Sequence, residues 1–186
     1  MEFVARAKNM LTAPKDEWPV IARESTGTAE LYSGYVAPLA AIAPVAAIVG
    51  NVFFGARLSF NNSVVIGIVS FTLTLAGVYV IGRIASKIAP SFGGKDDLAK
   101  GIRLVAYAGT AAWIAGVFGL IPELAWLSII GGIYSLYLLY TGSCVMMGVP
   151  QERSVGYTAV VVLIAIAVYL LIGMVVGSVV TLVSVM

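Results

Sequence analysis

The sequence contains no histidine and only one cysteine, Cys144, among its 186 residues. Histidine and cysteine supply most protein ligands for zinc and the other transition metals, so the usual metal sites are not expected. A serine nucleophile would also lack the histidine that ordinarily acts as its base. One cysteine cannot form an intramolecular disulfide, and we expect Cys144 to be a small packing residue. The sequence therefore predicts a non-enzymatic protein with no cofactor and no metal.

Charged residues are also scarce, at 11% of the chain, whereas 60% of the residues are hydrophobic. This composition excludes an ordinary soluble domain. The charges bracket five uncharged runs, at residues 31–56, 58–82, 104–122, 124–151 and 154–186. Each run is close to the roughly 20 apolar residues that a helix needs to cross a bilayer. The predicted fold class is all-α: a polytopic membrane protein with five transmembrane helices, preceded by a short amphipathic N-terminal helix.

The predicted organisation has two parts. Residues 1–30 form a cytoplasmic amphipathic segment, and residues 31–186 form the transmembrane domain. The predicted spans lie at about 33–54, 63–82, 100–121, 124–147 and 154–183. Because the uncharged runs hold no acidic or basic residue, they offer no proton relay, ion pathway or voltage sensor. A proton-coupled transporter or pump is therefore not predicted.

The basic residues predict the orientation in the membrane. Arg57 falls on one side of the predicted spans, and the other ten basic residues fall on the opposite side. Basic residues in short loops favour the cytoplasm, so we expect a cytoplasmic N-terminus and a periplasmic C-terminus. A net charge of +2 is too small to indicate nucleic acid, and anionic lipid headgroups are the expected partners. The ten residues are Arg6, Lys8, Lys15, Arg23, Arg83, Lys87, Lys95, Lys100, Arg103 and Arg153.

The N-terminal segment has the pattern of a helix that lies on the inner leaflet. Its apolar residues Phe3, Val4, Ala7, Met10 and Leu11 recur at helical spacing. A second helical turn is predicted to begin with Thr12 as its N-cap and Pro14 in its first turn. Trp18 is expected to anchor at the headgroups, and Pro19 to limit or kink this turn.

Prolines and glycines interrupt two other regions. Pro38 and Pro44 lie inside the first span, where they predict a kink that packs against other helices. In the loop 83–103, Asp96 or Asp97 is expected to cap the helix that continues as the third span. Gly94 and Lys95 do not form a phosphate-binding loop, because that motif needs Ser or Thr after the lysine.

Small residues on two spans suggest close helix contacts. Gly173 and Gly177 form a GxxxG pattern in the fifth span, and Gly116 with Gly119 gives the third span a small face. Such faces let two helix backbones approach closely. Packing within one chain and a contact between two copies both remain open for Gly173 and Gly177.

The fourth span carries a mildly polar stripe on one face, formed by Tyr134, Tyr137, Thr141 and Cys144. Two interpretations stay open. The stripe can supply hydrogen bonds between helices, with Thr110 and Trp113 of the third span as partners, or it can line a polar path through the membrane.

Four segments together resemble the Yip1 domain family in its compact bacterial form. They are LTAPKDEWPVIARE, YVAPLAAIAPVAAIVG, FGGKDDLAKGIRLVAYAG and IYSLYLLYTG. The resemblance covers residues 8 to about 175 and depends on the order and spacing of Trp, Pro, Gly and Tyr. It implies five transmembrane helices with a cytoplasmic N-terminus, and for bacterial relatives a place in the inner membrane. Eukaryotic relatives bind small GTPases through cytoplasmic segments, but this chain has only about 30 residues before its first span.

Two functional hypotheses follow from these patterns. The first is a membrane scaffold or accessory subunit that acts by association with protein partners or as a homo-oligomer. Its expected cytoplasmic interaction surface is Trp18, Lys95, Asp96, Asp97 and Arg103, with Gly173 and Gly177 for helix packing. The alternative is a passive lipid scramblase or small-molecule permease that uses Tyr134, Tyr137 and Thr141 as its path.

Overall fold

The structure is a computed structural model that describes residues 3–54 and 59–185. Five helical segments in this part of the chain are long and apolar enough to cross a membrane. We name them spans one to five: Thr28–Phe53, Phe60–Phe92, Leu98–Leu120, Glu123–Met147 and Gln151–Val183. Two short helices precede them, and no strand occurs among the described residues. The predicted fold class is confirmed.

The two short helices form a hairpin, which we call the N-terminal hairpin. Helix α1 is Phe3–Thr12, and helix α2 is Pro14–Arg23. The prediction that Thr12 is an N-cap is wrong, because Thr12 ends α1 and its hydroxyl donates a 2.9 Å hydrogen bond to the carbonyl of Lys8. Proline begins α2, as predicted, and Pro19 lies inside α2 without ending it.

Span one is irregular around its two prolines. A π-helical stretch, Tyr32–Val36, leads into the short helix Ala37–Ala40, and a turn separates that helix from Ile42–Phe53. Proline has no N–H to donate to the carbonyl four residues earlier, so regular α-helical bonding fails near Pro38 and Pro44. The span is thus irregular in the region where the sequence predicted a kink.

Span two is a long helix, and a short turn joins it to span three. The α-helix Phe60–Ile88 continues as the 3-10 turn Ala89–Phe92, and Gly93 then adopts a φ of 82°, which only glycine takes without strain. Asp97 caps the next helix, because its carboxylate accepts a 3.0 Å hydrogen bond from the backbone N–H of Lys100. One of the two predicted caps is therefore correct.

Span three consists of three helical pieces, and span four of two. In span three they are Leu98–Ala108, Thr110–Ala115 and the 3-10 segment Gly116–Leu120. Span four begins within the 3-10 segment Pro122–Leu127 and continues as Ser128–Met147.

Span five is one continuous helix, which extends from Gln151 to Val185. It is also the most peripheral span. In its most apolar stretch, 6% is buried inside the protein, whereas 61% of the most apolar stretch of span three is buried. Span three therefore forms the centre of the bundle, and span five leaves most of its surface to the surroundings.

Glycines let span three approach two neighbours closely. A Cβ on Gly101 would lie 2.5 Å from the carbonyl oxygen of Gly82 in span two. A Cβ on Gly50 of span one would lie 2.5 Å from the carbonyl oxygen of Leu120. A Cβ on Gly116 would lie 2.6 Å from the Cβ of Ala43, so this glycine of the predicted small face packs against span one, whereas a Cβ on Gly119 would meet no atom of the described residues within 4 Å.

One end of the bundle gathers the polar connections, and we call it the charged end. The backbone N–H of Lys95 donates a 2.9 Å hydrogen bond to the carbonyl of Met147, which joins the loop after span two to the end of span four. Arg103 of span three donates to the carbonyl of Glu24, just after the N-terminal hairpin. Arg57, the basic residue assigned to the other side, lies outside the described residues.

Candidate functional site

Trp18 fixes the N-terminal hairpin to spans three and four. The side chain is fully buried, and its Nε1 donates a 3.1 Å hydrogen bond to the hydroxyl of Thr141. The indole also meets the ring of Tyr107 edge to face. Gly142 makes room for it, because a Cβ there would lie 2.6 Å from two indole atoms. The prediction of Trp18 as an exposed anchor on the interaction surface is wrong, because spans three and four cover it.

The hairpin also covers part of the polar stripe of span four. The hydroxyl of Tyr134 donates a 2.8 Å hydrogen bond to the carbonyl of Leu11, at the end of α1. Thr141 accepts from Trp18. Tyr137 contacts the ring of Tyr134 and remains partly exposed. The stripe thus supplies hydrogen bonds between helices, and two of the three residues expected to line a path are engaged by the hairpin.

Thr110, one of the two predicted partners of this stripe in span three, bonds elsewhere. The hydroxyls of Thr110 and Tyr35 lie 2.7 Å apart, which links span three to span one. The bond between spans three and four runs from the N–H of Ala112 to the hydroxyl of Ser135, at 3.0 Å. Sequence periodicity placed the hydroxyls on the correct helices but could not select their partners.

A buried ionic network holds the hairpin together. Arg6 is 4% exposed, and its guanidinium pairs with Glu17 and Glu24. Glu17 also accepts a 3.0 Å hydrogen bond from the side-chain amide of Asn9. The guanidinium lies 5.7 Å from the centre of the Tyr107 ring, within the range of a cation–π contact. From the sequence, Arg6 was assigned only to membrane orientation. Glu17 and Glu24, which lie 11 and 18 positions later, were the available signal that Arg6 has acidic partners.

Arg103 ties the segment after the hairpin to span three. Its guanidinium donates to the carbonyl of Glu24 at 2.5 Å and to the carbonyl of Thr26 at 2.8 Å. Because the side chain is buried and bonded to backbone, Arg103 does not belong to an exposed interaction surface. That part of the prediction is also wrong.

The remaining predicted surface residues lie in the loop at the charged end. Asp96 accepts 2.6 Å hydrogen bonds from the hydroxyl of Ser86 and the ammonium of Lys87. These donors, Lys87 first, lower the pKa of the Asp96 carboxyl below its usual range. Asp97 serves as a helix cap. Lys95 and Asp96 are exposed, so only part of the expected surface is available to a partner.

Gly173 and Gly177 face open space in span five. A Cβ built on either residue would meet no atom within 4 Å. Packing within the described part of the chain therefore does not explain this GxxxG pattern. Exposed apolar residues surround it, among them Leu170, Met174 and Val175.

All five spans also line an apolar cavity of about 770 Å³, which sequence analysis did not predict. Small residues create much of it, including Ala40, Ala43 and Ala47 of span one. Their spacing of three and four was a visible signal of a small helix face. Among the described residues, no group of three His, Cys, Asp or Glu side chains is arranged to hold a metal ion.

Comparisons with known proteins agree with the resemblance seen in the sequence. The profile of the Yip1 domain matches residues 8–184. The chain is 27% identical over 150 residues to "Inner membrane protein YohC" of Escherichia coli K12. The aligned region covers 76% of this chain and 75% of that protein. The protein of the same name from Escherichia coli O6:H1 matches to the same extent. No solved structure matches.

Proposed function

The chain belongs to the Yip1 domain family, and on that premise we propose that it acts by association in the membrane, as a non-enzymatic scaffold or accessory subunit. The association is between span five and a membrane-spanning helix of another molecule, and a second copy of this chain is the partner to be tested first. The named relatives are inner-membrane proteins by name, and we place this chain in a bacterial inner membrane as well.

The exposed GxxxG face of span five carries the proposal. Gly173 and Gly177 leave the helix backbone uncovered on the span with the smallest buried share of the five. In lipid, apolar side chains alone give helices little reason to associate, and small residues favour association by allowing close backbone contact. This face therefore has the geometry that a second helix needs.

The proposed orientation places the charged end in the cytoplasm. The basic residues of the described chain lie in the hairpin, the loop after span two and the adjoining ends of spans two, three and five. Positive residues favour the cytoplasmic side. In a Cys144→Ser background, a cysteine at Lys95 should resist a membrane-impermeant thiol reagent added to intact spheroplasts, and a cysteine at Asn61 should react. Labelling in the opposite pattern would overturn this orientation.

Two isoleucine substitutions test the association. Full-length protein should be recovered from native membranes by mild affinity purification, with two differently tagged copies expressed together. We expect the copies to be recovered together, and Gly173→Ile with Gly177→Ile to abolish this by filling the face. Leu171→Ile is the matched control, because Leu171 is exposed on the same helix about half a turn away. Recovery of each tagged copy alone, with no other membrane protein, would overturn the proposal.

The alternative, passive movement of lipid or small neutral molecules, is tested separately. The N-terminal hairpin engages Tyr134 and Thr141 of the expected path. Purified protein in liposomes should therefore show no flux above empty liposomes. Flux that requires Tyr137 and Thr141 would favour the alternative over association.

A further inference from the structure

The apolar cavity between the spans is built like a ligand site. Its volume of about 770 Å³ lies within the roughly 300–1,000 Å³ of typical small-molecule sites. Span three contributes Ala108, Gly109 and Ala112 opposite the alanines of span one. Larger side chains at these positions would fill the space, so the cavity depends on residues that are small on both sides.

The lining is mostly apolar, and the described residues that give it polar side-chain atoms are Ser70, Thr74, Trp113, Ser135 and Tyr169. The hydroxyl of Thr74 donates a 2.8 Å hydrogen bond to the carbonyl of Ser70, and the hydroxyl of Ser135 accepts a hydrogen bond from the N–H of Ala112. Among the described residues, none that lines the cavity is charged. A buried water needs about two to four polar partners, and a cavity lined almost entirely by hydrocarbon favours a hydrocarbon occupant.

The cavity lies across the middle of the spans. In span two its lining extends from Ile81 to Ser70, and eleven helical steps of about 1.5 Å give about 16 Å. In span five the lining extends from Val161 to Leu170, near the middle of that span, and in span one it begins only at Ala40. The cavity therefore faces the hydrocarbon centre of the membrane and is not confined to the half at the charged end.

The cavity also opens sideways, toward the lipid. Leu136 of span four and Ile166 and Leu170 of span five line it, and all three are exposed on the outer surface of the bundle. Because these three side chains face both the cavity and the outside of the bundle, the cavity opens between spans four and five. An occupant can enter from the surrounding leaflet without passing the charged end.

We propose that this cavity binds the end of one acyl chain of a membrane phospholipid. The lateral opening admits the chain from the hydrocarbon of the bilayer, and the apolar lining accepts its methylene groups. The phospholipid headgroup stays at the membrane surface. This inference does not rest on the proposed association, because neither Gly173 nor Gly177 lines the cavity, although Leu170 borders both features.

Photocrosslinking tests the site directly. The full-length protein is reconstituted in vesicles of phosphatidylethanolamine and phosphatidylglycerol that contain a phosphatidylethanolamine with a diazirine in one acyl chain. Gly132→Phe should block the cavity, because Gly132 lines it and a Cβ there meets no atom within 4 Å. Ala165→Phe on span five is a second blocking variant. Ile133→Phe is the control, since its side chain is 63% exposed and does not line the cavity.

The expected result is crosslinking to Trp113 or Ser135, mapped by mass spectrometry, and a loss of these adducts in both blocking variants. A loss of about tenfold is expected if about two methylene groups lose their burial. Ile133→Phe should keep the wild-type yield. Adducts confined to the outer surface, or adducts in the lining that survive both blocking variants, would overturn the proposal. Labelling of the lining by a diazirine fatty acid but not by the phospholipid probe would overturn the assignment to a phospholipid.

Discussion

The indole of Trp18 lies against Gly142 so closely that a Cβ at this glycine would come within 2.6 Å of two ring atoms. The contact joins residues more than 120 positions apart, and the hydrogen bond from Trp18 to Thr141 lies beside it. Gly142 is thus the point where span four accepts the N-terminal hairpin.

Gly142→Ala should therefore loosen the hairpin. Overpacking of a tightly packed site typically costs about 1–3 kcal/mol, and here the new methyl group meets both Trp18 and Leu104. We expect a lower unfolding temperature in detergent and faster proteolysis after Lys8 or Lys15. Gly132→Ala on the same helix is the control, because its Cβ meets nothing within 4 Å. Equal proteolysis of both variants would contradict this account of the contact.

The Arg6 network gives a second prediction. Arg6→Met leaves the buried carboxylate of Glu17 without its cation, and loss of one partner from a buried pair typically costs about 3–5 kcal/mol. The free energy of unfolding, measured by denaturant titration in micelles, should fall accordingly. Arg6→Met with Glu17→Leu should recover part of the loss, because the second substitution removes the unpaired charge. A double variant less stable than Arg6→Met would show that the pairing is not the cause.

The contact between spans one and three predicts a difference between two glycines. Gly50→Ala places a methyl group against the carbonyl oxygens of Gly119 and Leu120, and a backbone cannot move aside as a flexible side chain can. We expect the unfolding temperature to fall. Gly119→Ala should leave it unchanged or raise it, because its Cβ meets nothing within 4 Å and alanine favours a helix over glycine. Similar unfolding temperatures for the two variants would contradict the close approach.

The Asp96 carboxylate predicts a local pH dependence. Lys87 and Ser86 hold its pKa below the usual range in the folded protein. Its contribution to stability is therefore present at neutral pH and is lost as the pH falls through this lowered pKa. Lys87→Met should raise the pKa, and an NMR titration of isotope-labelled aspartate would measure the change. An unchanged titration of Asp96 in this variant would mean that Lys87 is not the main cause.

Local features of the sequence were sufficient for the spans. A segment in a bilayer must satisfy its own backbone hydrogen bonds, so an uncharged run of about 20 residues indicates a helix whatever its neighbours are. The same locality applies to the interruption near Pro38 and Pro44 and to the cap at Asp97. Each depends on residues within a few positions along the chain.

Such local patterns could not predict which residues contact each other in the tertiary structure. An amphipathic pattern shows that one face of α1 or α2 is apolar, but it does not show whether lipid or another helix covers that face. Trp18 was therefore expected at the surface, although spans three and four cover it. Arg103 of span three was also expected there, but its guanidinium bonds to the carbonyls of Glu24 and Thr26. Burial of Arg6 likewise depends on carboxylates from another helix and from the segment after it.

The sequence by itself determined the five membrane-spanning helices, because the bilayer imposes that requirement on each segment separately. The tertiary structure decided that the N-terminal hairpin covers the polar stripe of span four, that Gly173 and Gly177 stay uncovered, and that five spans leave an apolar cavity between them. Each of these features depends on the distance between residues far apart in the chain. That distance is set by the packing of all the helices together.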